Sequence, residues 1–77
     1  MLVIEGVIEK RIFTIFTSNE EFVYNKKEHT IHFINGKKQD ITISNLFKEY
    51  KNINKIVLKI YEGGTLITKS TFFRRED

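Results

Sequence analysis

Apolar residues recur at every second position along most of this chain, and no proline interrupts them. Leu2 and Ile4, Phe13 and Ile15, Phe22 and Tyr24, Ile31 and Phe33, Ile41 and Ile43, and Ile56, Leu58 and Ile60 each form such a series. Side chains of a strand alternate between two faces, so this period predicts half-buried strands rather than helices. Residue choice agrees. Ile, Val and Thr number 23, and Ala is absent. β-branched side chains suit a pleated surface, whereas alanine is the best helix former.

Hairpin registers follow from asking which pairing keeps apolar residues on one face. A turn at Lys10-Arg11 sets Ile8 opposite Phe13 and Gly6 opposite Ile15. The alternative is one long strand running to Thr17, bent near Gly6. A turn at Ser18-Asn19 sets Ile15 opposite Phe22, and a loop at 25–28 sets Phe22 opposite Ile31. Asn35-Gly36 has the chemistry of a two-residue turn, but that register would pair Phe33 with Lys38. A five-residue loop, 35–39, pairs Phe33 with Ile41 and Ile31 with Ile43, and burial favours it. One face then collects Ile8, Phe13, Ile15, Phe22, Tyr24, Ile31, Phe33, Ile41 and Ile43.

Ser44 suits the N-cap of a short helix over 45–51, with Leu46, Phe47 and Tyr50 on one side. Lys55–Glu62 alternates again, Gly63-Gly64 turns, and 65–73 returns, with Ile60 opposite Ile67. The expected fold is mainly β (α+β): an antiparallel meander of about five strands, one short helix and a closing hairpin. It forms a single domain over 1–77, as a compact sheet or a small barrel. The element order is similar to that of the OB-fold, in architecture only, since no motif supports it.

Several function classes find no support in the residues. Without Cys there is no disulfide framework and no thiolate metal site. The longest apolar run, Met1–Ile4, is too short for a membrane span or a signal-peptide core. His29 and His32 sit three apart, on opposite faces of a strand, and do not chelate together. Glu5 and Glu9 share a face about 13 Å apart, too far for a glycosidase-like pair. The serines read as turn, cap and surface, and Gly63-Gly64 precedes no helix, so no phosphate loop forms. The expectation is no catalytic residue, no metal, no cofactor and no membrane partner.

Two features point to binding. Val7, Ile12, Phe16, Val23 and Ile34 alternate away from the proposed core, where a monomer's sheet is mostly polar. They are the candidate protein interface, for a partner or for a second copy in a homodimer. Basic pairs mark the turns. The meander places Lys10, Arg11, Lys26 and Lys27 at one end, while Lys37 and Lys38 face Glu20 and Glu21 at the other. Phe72-Phe73-Arg74-Arg75 sets an outward aromatic beside arginines. Lys10, Arg11, Lys26, Lys27, Phe73, Arg74 and Arg75 form the candidate anion or nucleic-acid patch, although the net charge is only +3.

The expected function is that of a small, non-enzymatic, cytoplasmic binding protein that modulates a host protein through its sheet surface. The Ile-, Lys- and Asn-rich composition suggests a low-GC bacterium or its phage or mobile elements. The alternative is a nucleic-acid binder that uses the basic turns and the C-terminal aromatic.

Overall fold

The structure, a computed structural model, describes residues 1–36 and 38–75. In chain order its elements are β1 (Leu2–Ile8), β2 (Arg11–Ser18), β3 (Phe22–Asn25), β4 (Thr30–Phe33), β5 (Ile41–Thr42), α1 (Ile43–Glu49), β6 (Lys55–Glu62) and β7 (Thr65–Phe73). Strands account for 57% of it and every strand pairing is antiparallel, so the fold is mainly β with one short helix. The strands fall into two sheets, ordered β2-β1-β6-β7 and β3-β4-β5, and neither closes into a barrel. The chain divides correspondingly into two units, Met1–Asn19 with the segment from Asn52 onward, and Glu20–Lys51. β2 and β3 are therefore in different sheets, and the turn expected at Ser18-Asn19 does not pair them.

In the first unit the centre is the β1–β6 pairing, which sets Leu2 opposite Ile60, Ile4 opposite Leu58 and Gly6 opposite Ile56. Leu2, Ile4, Ile56 and Leu58 are completely buried, as is Ile53 just before β6. Gly6 leaves room that aromatic and branched side chains take. A Cβ there would stand 2.8 Å from the Phe13 ring and 2.9 Å from the Ile53 Cδ1. This explains the first hairpin. Its turn is Glu9-Lys10, one residue earlier than expected, because that register sets Phe13 opposite the bare Gly6. Ile8 then pairs with Arg11 and is exposed.

A bulge follows. Thr14 pairs with Glu5 and Phe16 with Ile4, so Ile15 is the extra residue. The bulge reverses the alternation, and Phe16 turns to the buried face, half-buried, instead of away from it. β7 repeats the device. Tyr61 pairs with Leu66 as expected, but Ile60 pairs with Thr68, leaving Ile67 unpaired.

The β6–β7 turn is Gly63-Gly64, with φ of +57° and +81°. Two successive left-handed residues make the tight turn that matches strand twist, and glycine adopts them without strain. A Cβ at Gly63 would meet nothing within 4 Å, so a substitution there acts on conformation alone. Gly63→Ala is expected to lower stability in urea unfolding by about 1–2 kcal/mol, the cost of a left-handed L-residue. Gly63→Asn should lose clearly less.

In the second unit β4 lies between β3 and β5, with Phe22 opposite Phe33, Tyr24 opposite Ile31 and Ile31 opposite Ile41. Ile31 and Phe33 are buried. These pairs keep the expected face but slide by two residues. The β3–β4 loop is Lys26–His29, where the Asn25 Oδ1 accepts from the Lys27 and Glu28 amides at 3.0 and 3.1 Å. That side-chain turn fixes the loop, and His29 takes φ +55° to close it. α1 starts two residues earlier than expected. Ile43 is buried and its amide donates to the His29 carbonyl at 3.1 Å, which starts the helix at Thr42 rather than at Ser44.

Candidate functional site

Odd-numbered residues of β1 and β6 project from the second face of the four-stranded sheet. Pairing aligns them in rows across all four strands. Ile12, Val7, Lys55 and Phe73 form one row; Thr14, Glu5, Val57 and Thr71 the next; Thr17, Val3, Lys59 and Lys69 the third. Strands lie about 4.8 Å apart, so the outer members of a row are about 14 Å from one another. The outer positions are open to solvent: Ile12 is 67% exposed and Phe73 70%. Val7 shares this face with them, yet at 8% it is shielded between Ile12 and Lys55.

Charge on this face is arranged in two steps. Lys59 and Lys69 stand directly opposite, an unfavourable pair by itself. The Glu5 carboxylate accepts from the Lys59 ammonium at 2.7 Å and offsets one of the two charges. That hydrogen bond, reinforced by the Glu5 charge, holds the Lys59 pKa above the ordinary lysine value. At the end of the face the Lys55 Nζ lies 5.9 Å from the centre of the Phe73 ring. The ring's electron-rich face attracts the ammonium.

Strand direction decides which residues share an end. β1 and β7 run one way, β2 and β6 the other. The β1–β2 turn, the start of β6 and the end of β7 therefore meet at one end. Lys10, Arg11, Lys55, Arg74 and Arg75 are brought there, with Glu9 as the acidic residue of the turn. Arg74 is fastened: its Nε donates to the Ile53 carbonyl at 2.8 Å and its amide to the Asn54 carbonyl at 3.0 Å. Lys10, Arg11 and Arg75 are exposed.

The opposite end holds a cleft of about 470 Å³ lined by Met1, Val3, Asn19, Tyr61, Gly63 and Gly64. Met1 and Tyr61 close one side of it, the N-terminal ammonium donating to the Tyr61 carbonyl at 2.7 Å and the Tyr61 amide to the Met1 carbonyl at 2.8 Å.

Of the candidate interface residues, Val7 and Ile12 lie together on the exposed face, and Phe16 lies on the buried face of the same sheet. Val23 and Ile34 belong to the second unit, where both are about half exposed. Of the candidate anion-binding residues, Lys10, Arg11, Phe73, Arg74 and Arg75 converge on one sheet end. Lys26 and Lys27 lie in the β3–β4 turn of the second unit, exposed. Lys38 meets Glu20 at 3.5 Å as expected, whereas Lys37 lies outside the described residues. His29 sits in a turn and His32 in β4, where its Nδ1 is 2.8 Å from the Asp40 Oδ1. Among the described residues no three His, Cys, Asp or Glu side chains gather as a metal site, and no helix is long and apolar enough to cross a membrane. Lys55, Lys59, Lys69 and Tyr61 were not singled out from the sequence. Alternation along β6 alone puts Lys55, Lys59 and Tyr61 on one face, and the bulged β6–β7 hairpin sets Lys69 opposite Lys59; what the sequence does not announce is the β1–β6 pairing that lays Glu5 and Val7 beside them.

No known protein family, no curated protein and no solved structure matches this chain.

Proposed function

We propose that this is a non-enzymatic binding protein whose ligand is a nucleic acid, held on the exposed face and basic end of the four-stranded sheet. The observation that carries this reading is the convergence of Lys10, Arg11, Lys55, Arg74 and Arg75 beside the exposed ring of Phe73. Cations supply affinity for phosphates, and an aromatic among them suits a base. A cytoplasmic setting goes with that ligand. A second reading, a protein partner or a second copy of the chain, draws on the exposed Ile12, Leu66, Ile67 and Phe73. It corresponds to a phage or mobile-element factor acting on a host protein.

Salt separates the two. If about four of these cations each neutralise a phosphate, the logarithm of affinity falls with that of salt at a slope of about −3 for single strands. Anisotropy of a labelled oligonucleotide should then show a loss of about 50-fold between 50 and 200 mM salt. Absence of binding at low salt would overturn the nucleic-acid reading and leave the protein partner to be sought.

A further inference from the structure

We infer that the exposed face takes its ligand as a single strand, holding bases at two points: the Phe73 ring at one end and the cleft beside Tyr61 at the other. The inference rests on the nucleic-acid reading above and specifies its substrate.

Width argues against a duplex. The major groove is about 12 Å wide and admits a helix or a two-stranded ribbon. The outer strands of this sheet are about 14 Å apart before side chains are added. The face cannot enter a groove, and bases stacked inside a duplex stay out of reach of Phe73. A single strand has its bases free to turn outward, and a solvent-exposed ring on an open sheet face is where they stack.

The second point lies on the same face. Lys55, Val57, Lys59 and Tyr61 alternate along β6, so Tyr61 is six residues from the Phe73 row, about 20 Å along the strand. Tyr61 lines the 470 Å³ cleft, a volume within the usual range for small-molecule sites. The two turn glycines lie on the rim of the cleft and add no side chain to it. Asn19 brings an amide, with both donor and acceptor, to the same cleft. Between the two points runs the Lys59–Lys69 pair. Glu5 offsets Lys59, and the exposed Lys69 supplies positive charge along the path of a phosphate backbone.

The test compares oligo-dT with a duplex of equal length, both at low salt, on the parent protein, Phe73→Ala and Tyr61→Leu. Phe73 is exposed, and leucine keeps apolar volume at Tyr61, so both variants should fold, which circular dichroism checks. The expected result is single-strand affinity at least about tenfold above duplex affinity. Each variant should lose about 5- to 150-fold on oligo-dT, the effect of one stacked base, with duplex binding unchanged. Equal or tighter duplex binding, or two variants that hold oligo-dT like the parent, would overturn the inference while salt-sensitive binding leaves the broader reading standing. Binding of neither probe would overturn both.

Discussion

Leu58→Ala is expected to remove a large share of the stability of this protein. Leu58 lies in the middle of β6, completely buried, with Ile4 opposite on one side and Ser70 on the other. Truncating such a leucine costs about 2–5 kcal/mol, part from lost transfer free energy and part from the cavity left behind. A chain of this length has about 4–12 kcal/mol in total. The cost is at the upper end because β1 and β7 flank the site and limit its collapse. Urea unfolding followed by circular dichroism at 25 °C measures it. Leu66→Ala is the comparison. Leu66 is 43% exposed on edge strand β7, and its loss should stay within about 0.5 kcal/mol. If the two variants unfold alike, the face of Leu2, Ile4, Ile56 and Leu58 is not the centre of stability.

The second large effect concerns binding. Lys10→Glu combined with Arg11→Glu should lower affinity for a single strand about 100-fold or more at low salt. Two phosphate contacts are lost and two repulsions replace them, so the salt slope should fall from about −3 to about −1.4. Lys26→Glu with Lys27→Glu, in the other unit, changes the net charge by the same four units, from +3 to −1. A much smaller loss for that pair would locate the contact at the Glu9-Lys10 turn. An equal loss would mean that overall charge governs binding.

Local chemistry was legible in the sequence wherever it settles the matter by itself. Gly63-Gly64 permits one tight turn, and the bounds of β6 and β7 follow from it on both sides. That the strand of Phe33 pairs with that of Ile41 without a two-residue turn at Asn35-Gly36 was legible, but the register was not: Ile31, not Phe33, lies opposite Ile41, and Ile43 is in the helix. Alternation has no means of showing a bulge. One extra residue at Ile15 reverses the phase, which is why Phe16 lies opposite Ile4 although its spacing from Phe13 points the other way. The pairing of Ile4 with Leu58 was not legible, since each is an apolar residue of a strand with many equivalent partners. The candidate site inherits that gap. Arg74 and Arg75 were recognisable as a basic pair, but their meeting with Lys10 and Arg11 depends wholly on β1 lying beside β6.

The same pairing sets the order of events when the chain is made. β1 and β6 are separated by the whole of the second unit, and closing so long a loop carries an entropic cost that the local hairpins do not bear. β1–β2, β3–β4 and β6–β7 have neighbouring partners and can form early. The central ladder cannot. At about 5–20 residues per second, Leu58 leaves the ribosome roughly three to ten seconds after Ile4. Throughout that interval Leu2 and Ile4 lack their β6 neighbours, and the β1–β2 hairpin carries an unpaired edge into the crowded cell.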